Sequence, residues 1–220
     1  MLFHYILANK KHPFGGSEST APLDTQTTEE NIRKNRFGFC PSITPEAAHL
    51  LTKMLSARPE RRPKASSLQR FPFFWDNREK RNFVIAIGNQ KAFEEPRLNL
   101  SRPLTDAEKH LEDVYSKKRK NVLGWDSYIS DIYEDVTRRY RAREYDTKSA
   151  VELVRFIRNS YNHVNDFSEK TKQLILKKNV FFERFPCLVT EVYKAVEACD
   201  EWKTKEDLRQ FFSIIDIIRD

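Results

Sequence analysis

The sequence beyond Trp75 consists of long, highly charged segments that contain few helix-breaking residues. The whole chain of 220 residues has only 5 glycines, and strict alternation of apolar and polar residues is scarce. Both features disfavour a β-sheet, because strands need alternating patterns and glycine-rich turns. We therefore predict an all-α fold. The predicted helices are Arg78–Ala92, Thr105–Ser116, Trp125–Arg143, Ala150–Asn165, Ser168–Ile175, Pro186–Cys199 and Lys205–Arg219.

The first part of the chain has two shorter helical patterns separated by loop-rich sequence. Met1–Ala8 is an apolar run typical of a buried helix, and Thr44–Ser56 has an N-cap residue followed by amphipathic spacing. The aromatic cluster Phe71–Trp75 ends this part and is typical of a domain edge. We predict one domain over residues 1–74 and a second, helical domain over residues 77–220.

The charge balance and the cysteines restrict the class of protein. With 39 Lys+Arg against 32 Asp+Glu, the net charge of +7 permits an anionic partner such as RNA without establishing one. Cys40, Cys187 and Cys199 form no Cys-X-X-Cys pair and no Cys/His metal-binding spacing, which favours reduced thiols. No run of eighteen apolar residues occurs in this sequence. We predict an intracellular, cytoplasmic protein without a membrane segment in this chain.

The segment from Ser149 to His163 carries two contrasting helical faces. Ser149 and Glu152 have the spacing of a capping box, which predicts a helix start. The apolar face consists of Leu153, Ile157, Tyr161 and Val164. The polar face consists of Arg155, Arg158, Asn159, Asn162 and His163. A solvated surface is the simplest interpretation of the polar face, yet it combines an imidazole, guanidinium groups and amides with no acidic residue after the first turn. We predict an unbroken helix with this face accessible.

Those polar groups suit the cleavage of RNA by its own 2′-hydroxyl group. In that reaction the 2′-oxygen loses a proton, the 5′-oxygen gains one, and the phosphate oxygens carry growing negative charge. Histidine titrates near a pH of roughly 6.5, so it can donate or accept a proton at neutral pH. Arginine can bind two phosphate oxygens at once, and an amide adds a directed hydrogen bond. None of these roles requires a metal ion, and the sequence has no ligand cluster, so we predict no metal site.

Two stretches in the first domain resemble the protein-kinase C-lobe. His12–Gly15, after an apolar helix, resembles the loop that follows the central helix of that lobe. Arg58–Ala65 is similar to a late-kinase pattern in which an arginine, here Arg62, pairs with the glutamate of an Ala-Pro-Glu motif. That motif is absent, as are the glycine-rich loop, the strand lysine, the His-Arg-Asp loop and the Asp-Phe-Gly metal site. ATP or ADP and Mg are therefore implied only for kinase segments missing from this chain, which cannot phosphorylate alone. We expect either part of a longer kinase or a C-lobe remnant that serves as a scaffold.

The second domain resembles a nuclease. Asp126–Lys194 is similar to the kinase-extension nuclease domain shared by the inositol-requiring sensor of unfolded proteins and by ribonuclease L. The stretches that carry the resemblance are Trp125–Asp126, Arg138–Arg141 leading to Tyr145, Leu153–His163, Phe181–Pro186 and Val192–Tyr193. Together with the kinase-like stretches of the first domain, this resemblance covers almost the whole chain, and its parts follow the same order as in the family.

The resemblance implies a role for each of four polar residues. His163 matches the family's catalytic histidine, the general acid, and Tyr145 matches its tyrosine, which acts as the base or orients the 2′-hydroxyl group. Arg158 and Asn159 match the pair that holds the scissile phosphate. Glu152 falls where the family has an acidic residue, and the capping box explains it equally well.

Arg138, Arg139, Arg141 and Arg143 form the densest basic stretch, flanked by tyrosines. They are predicted either to grip the RNA backbone while the tyrosines stack on unpaired bases, or to form a solvated helix end. One departure from the family concerns Ser160, because many sensor-type members have lysine directly after the Arg-Asn pair.

The resemblance implies a metal-independent endoribonuclease, active in RNA processing or decay under stress, that cuts exposed loops of single-stranded or stem-loop RNA. It also implies a homodimer or higher oligomer, and a place on the cytosolic face of the endoplasmic reticulum if a membrane helix lies upstream. Two alternatives stay open: a catalytically silent dimerisation scaffold, and a fragment of a Ser/Thr kinase whose main role is signalling.

Overall fold

The computed structural model describes residues 2–15, 25–90, 124–139, 145–198 and 200–212. Within these ranges the regular structure is helical and contains no strand, which confirms the predicted all-α fold. The chain divides into two compact units, Met1–Phe73 and Phe74–Asp220. In the described part of the chain, no helix combines the length and the apolar character needed to cross a membrane.

The first unit contains four described helices. They are α1 (Leu2–Leu7), α2 (Thr25–Arg33), α3 (Pro45–Met54) and α4 (Ala65–Leu68). The predicted cap of α3 is confirmed, since the Thr44 side chain accepts a hydrogen bond from the Ala47 amide at 3.3 Å. Leu50 and Leu51 on this helix are buried. The Arg62 Nε atom donates to the Ser56 carbonyl at 2.9 Å, so this arginine has a local partner in a chain without an Ala-Pro-Glu motif.

The second unit contains seven described helices. They are α5 (Asn77–Gly88), α6 (Ser130–Arg139), α7 (Ala150–Asn162), α8 (Glu169–Leu176), α9 (Val180–Arg184), α10 (Leu188–Glu197) and α11 (Asp200–Lys203). Short 3-10 turns at Trp125–Tyr128, Val164–Asp166 and Arg209–Phe211 connect or end them.

The helix pair α5 and α7 is the most extensive among those described. A capping box starts α5, because Asp76 Oδ1 accepts from the Glu79 amide at 2.7 Å and Glu79 Oε2 accepts from the Asp76 amide at 3.0 Å. Helical spacing then buries Phe83 and Ile87 completely. On α7 the large apolar residues Leu153, Val154, Phe156 and Ile157 are fully buried. Each large apolar side chain buried in this way stabilises the fold by roughly 1.5–3 kcal/mol.

Aromatic rings connect the start of the second unit to its end. The Trp75 ring lies 5.1 Å from Phe83 and 5.5 Å from Phe211, measured between centroids. Tyr193 on α10 stacks on Phe212 with centroids 4.9 Å apart. Aromatic rings at these distances stabilise the fold by more than the burial of their apolar surface alone.

Several predicted helix bounds were wrong. As far as residue 139, the segment predicted as the helix Trp125–Arg143 is a 3-10 turn followed by α6. As far as residue 212, the predicted Lys205–Arg219 helix is a turn and a 3-10 helix. The second error arises because Phe211 and Phe212 are both buried in one ring cluster, whereas adjacent residues of an α-helix point about 100° apart. Helix α9 was missed because it is short. The predicted Thr105–Ser116 helix lies outside the described residues.

A forked ion pair joins α9 to α6. Arg184 Nη2 donates to Asp131 Oδ2 at 2.9 Å, and Nη1 donates to the other oxygen of this carboxylate and to the Tyr128 carbonyl. Hydrogen bonding from Arg184 holds the pKa of Asp131 below its ordinary value of 3.8. A carboxyl whose pKa is lower in the folded state stabilises the fold above its unfolded pKa, and this stability is lost as the pH falls through the folded pKa.

We expect Asp131→Asn to lower the free energy of unfolding by about 1 kcal/mol at pH 7, because the pair is forked but one-third exposed. The difference from the wild type shrinks once the pH falls below about 4. Urea unfolding at pH 7 and at pH 3 measures both values. Glu134→Gln, which removes an exposed partner of Arg138 on the same helix, is the control and has an effect below about 0.5 kcal/mol. A difference that is the same at both pH values would contradict the assignment.

Candidate active site

Helix α7 begins as predicted at Ser149 but with a different arrangement of its acidic residue. The Ser149 hydroxyl accepts from the Glu152 amide at 3.3 Å, which confirms the N-cap. The second half of the capping box is not observed, since the Ser149 amide donates to the Asp146 carbonyl at 3.0 Å. The Glu152 carboxylate instead pairs with Arg155 one turn later, and both side chains are largely buried. A buried carboxylate needs such a charged partner more than a second cap.

His163 lies at the end of α7 and is accessible. The helix runs from Ala150 to Asn162, and the His163 amide donates to the Asn159 carbonyl at 3.0 Å. The His163 side chain is 46% exposed, and its Nδ1 atom lies 3.5 Å from Asp166 Oδ2. The prediction of an accessible imidazole at this point of the helix is therefore confirmed.

Three of the four predicted polar residues form a hydrogen-bonded chain. Arg158 Nη1 donates to Asn159 Oδ1 at 2.8 Å, and Asn159 Nδ2 donates to the Tyr145 hydroxyl oxygen at 2.8 Å. His163 follows Asn159 by four residues, which places it one helical turn further along the same face. The hydrogen-bonded chain thus brings together residues that are up to 14 positions apart in the sequence.

Trp125 holds the segment that carries Tyr145. Its backbone amide donates to the Thr147 carbonyl at 2.9 Å, and its indole Nε1 donates to the Ser149 carbonyl at 3.1 Å. The Tyr145 ring contacts Trp125 and Phe156, with centroids 6.1 Å and 5.3 Å away. Trp125 is buried, and the sequence pattern does not indicate its part in placing Tyr145.

Arg158 has a partner that the sequence does not indicate. Its Nε and Nη2 atoms donate to the Gly88 carbonyl at 3.1 Å and 3.0 Å, at the end of α5. These contacts fix the guanidinium group from the side opposite to Asn159.

Two neighbours of the polar face point into the core. Ser160 is fully buried, and its hydroxyl donates to the Phe156 carbonyl at 2.7 Å. Burial raises the pKa of Tyr161 to about 12, so its hydroxyl group stays protonated at neutral pH. The Tyr145 hydroxyl group, by contrast, contacts the Asn159 amide on the polar face.

The predicted basic patch is described only in part. Arg138 on α6 is 79% exposed and lies 3.6 Å from Glu134 Oε2. Arg139 is the last residue of α6, while Arg141 and Arg143 lie outside the described residues. No group of three or more His, Cys, Asp or Glu residues is placed to hold a metal ion in the ranges that the structure describes.

The sequence model of one family, described as ribonuclease 2-5A, matches residues 80–212. The chain belongs to this family. The match begins within α5, ends at the last described residue and includes Tyr145, Arg158 and Asn159. The family resemblance derived from the sequence motifs is therefore confirmed.

The ribonuclease 2-5A assignment is accompanied by similarity to larger proteins. The chain is 28% identical to the serine/threonine-protein kinase/endoribonuclease IRE1a of Arabidopsis thaliana, over 94% of this chain and 23% of the relative. It is 25% identical to the sensor for unfolded proteins in the ER of Schizosaccharomyces pombe, over 89% of this chain and 18% of the relative. A third relative, named inactive serine/threonine-protein kinase/endoribonuclease IRE1-like, of Arabidopsis thaliana, is 26% identical over 96% of this chain and 38% of its own length. The chain thus spans less than a quarter of the first two relatives.

The burial of Ser160 predicts the effect of placing lysine there. We expect Ser160→Lys to lower the free energy of unfolding by roughly 2–3 kcal/mol, because the ammonium group must be buried or the helix displaced. Ser160→Ala, the matched control, loses one hydrogen bond and costs about 1 kcal/mol. Thermal unfolding of the three proteins provides the comparison. If the lysine variant is as stable as the alanine variant, Ser160 does not face the core.

Proposed function

We propose that this chain is the nuclease part of a kinase/endoribonuclease and that it cleaves RNA through attack by the RNA 2′-hydroxyl group. The observation that carries the proposal is the Arg158–Asn159–Tyr145 hydrogen-bonded chain beside an exposed histidine, His163. Membership of the ribonuclease 2-5A family supports the same chemistry. Relatives named as endoribonucleases match along most of the chain.

Each group has one role in the proposed reaction. The 2′-oxygen attacks phosphorus and loses its proton, with Tyr145 as the base or as the group that orients the hydroxyl. The bond from phosphorus to the 5′-oxygen breaks, and His163 donates a proton to that oxygen. Arg158 and Asn159 bind the phosphate oxygens as negative charge grows on them. The products are a 2′,3′-cyclic phosphate and a 5′-hydroxyl group, with no metal ion or other cofactor taking part.

Unpaired RNA is the substrate that suits this geometry. Attack in line with the leaving oxygen requires a backbone that can leave helical geometry, and loops of single-stranded or stem-loop RNA satisfy that condition. The net charge of +7 and the exposed Arg138 favour an anionic partner. Arg139, Arg141 and Arg143 extend the same basic stretch of the sequence.

We assign the first unit, Met1–Phe73, to the end of a kinase C-lobe. The similarity to kinase/endoribonucleases extends across it, since the Arabidopsis relative matches 94% of this chain. ATP or ADP and Mg belong to kinase segments of such longer proteins. Pairing of two copies, as a homodimer or higher oligomer, then brings two nuclease units together.

Cys40 and Cys187 are buried free thiols, which supports a reducing compartment such as the cytoplasm.

A catalytically silent scaffold is the second candidate. It is favoured by the similarity to a relative named as inactive. The contact between Asn159 and Tyr145 and the exposure of His163 support the active alternative, because a scaffold needs neither.

The first test concerns His163. We expect His163→Ala to slow cleavage roughly 10²–10⁴-fold with little change in RNA binding, because the acid acts only in the transition state. Arg158→Ala slows cleavage and also weakens binding, since the guanidinium meets the phosphate in the ground state. Single-turnover cleavage of a stem-loop RNA measures the rates of both variants. The measurement is repeated with a chelator, and we expect the chelator to leave the rates unchanged. Asn165→Ala, an exposed neighbour, is the control. A His163→Ala protein that cuts at the wild-type rate, or a reaction stopped by chelation, would refute this assignment.

The second test concerns pairing. We expect the chain to be mostly monomeric at low concentration and its cleavage rate to rise faster than linearly with protein concentration. Light scattering and initial rates over a dilution series provide the two measurements. A strictly linear rate would mean that a single copy is competent.

A further inference from the structure

The end of α5 forms an unusual contact with the polar face of α7. Gly88 is the last residue of α5, and helix ends leave carbonyl oxygens without partners inside the helix. The Gly88 carbonyl accepts from Arg158 Nε at 3.1 Å and from Nη2 at 3.0 Å. The carboxyl end of a helix also carries partial negative charge, which favours a guanidinium group at this point.

The contact depends on the absence of a side chain at residue 88. A Cβ atom built on Gly88 would lie 2.7 Å from Arg158 Cβ and 3.1 Å from its Cγ. Arg158 Cβ is attached directly to the α7 backbone, so it cannot swing away as the far end of a side chain could. Any larger residue at 88 must therefore separate α5 from α7 or displace Arg158.

The guanidinium group is fixed on two edges. The Nε and Nη2 edge faces Gly88, while Nη1 donates to Asn159 Oδ1 at 2.8 Å. Because a guanidinium group is planar, contacts on two edges define its orientation. The orientation of Arg158 in turn fixes the Asn159 amide that donates to Tyr145.

The end of α5 is itself anchored. Gln90 is buried, and its Nε2 atom donates to the Ala86 carbonyl at 3.1 Å and to the Asp207 carboxylate. Lys205 Nζ donates to Gln90 Oε1 at 3.1 Å. These hydrogen bonds connect the turn after α11 to Gln90. They therefore hold the end of α5, where the Gly88 carbonyl lies.

We propose that Gly88 is a positioning residue, whose carbonyl and small size hold the Arg158 guanidinium group in place for the scissile phosphate. This inference rests on the proposed function, because it assigns the purpose of the Arg158 orientation. Gly88 itself touches no reacting atom and acts only through Arg158.

The test is a double-mutant cycle of Gly88→Ala and Arg158→Ala in the whole chain, read by single-turnover cleavage of a stem-loop RNA. We expect Gly88→Ala to lower the single-turnover rate constant at saturation roughly 10- to 100-fold, the loss produced by a misplacement of about 1 Å. We expect the concentration that gives half of the maximal rate to change less than about threefold. In the Arg158→Ala background, Gly88→Ala adds no further loss, because the group it positions is already missing. Val84→Ala, a buried change one turn earlier on α5, is the control and has the same effect in both backgrounds.

A spectroscopic measurement tests the contact without any substitution at residue 88. In the wild-type chain, we expect the Nε–H of Arg158 to exchange with solvent more slowly than that of the exposed Arg138, as measured by nitrogen-15 NMR and assigned with Arg158→Lys. Equal exchange of the two would overturn the positioning role, whether or not Gly88→Ala folds.

The two proposals fail in different ways. If Arg158→Ala cleaves at the wild-type rate, the phosphate-binding role in the proposed function is wrong, and the exchange measurement still decides whether Gly88 holds Arg158. The other outcome is that Arg158→Ala cleaves slowly and that adding Gly88→Ala lowers the rate by the same factor as it does in the wild type. Gly88 then acts independently of Arg158, and the positioning role is overturned.

Discussion

The close packing of α5 against α7 is the constraint on which the rest of the second unit depends. Phe83 and Ile87 from one helix and Leu153 and Ile157 from the other are completely buried in one core. Cores are packed at the density of organic crystals, so a shift of one helix cannot be absorbed without opening a cavity. The polar contact between Gly88 and Arg158 lies at the edge of this packed surface and takes its geometry from it.

The polar face of α7 depends equally on aromatic packing. Phe156 lies beneath Tyr145 and Tyr133, with ring centroids 5.3 Å and 5.5 Å away, and Trp125 ties the Tyr145 segment to the start of α7. These ring contacts therefore help to place the Tyr145 hydroxyl group beside Asn159. For the proposed reaction, such a framework arranges the polar groups before RNA binds, which is the condition for efficient electrostatic stabilisation.

The sequence predicted those features that depend on local pattern. The helix from Ala150, its Ser149 cap and the exposure of His163 follow from side-chain spacing within a few turns, and they are observed. The partner of Arg158 could not be predicted, because Gly88 lies 70 residues away and contributes only a backbone carbonyl. The turn after α11 was also missed, since its conformation depends on distant rings.

The two arginines of α7 lie on the same face of the helix but contact different acceptors. Arg155 pairs with the Glu152 carboxylate, so its positive charge is largely neutralised within the helix. Arg158 contacts two neutral oxygens, the Gly88 carbonyl and Asn159 Oδ1, and these contacts orient its guanidinium group. Spacing along the helix places both arginines on the polar face, and the acceptors that each one contacts, a carboxylate for Arg155 and two amide oxygens for Arg158, decide how each guanidinium group is oriented.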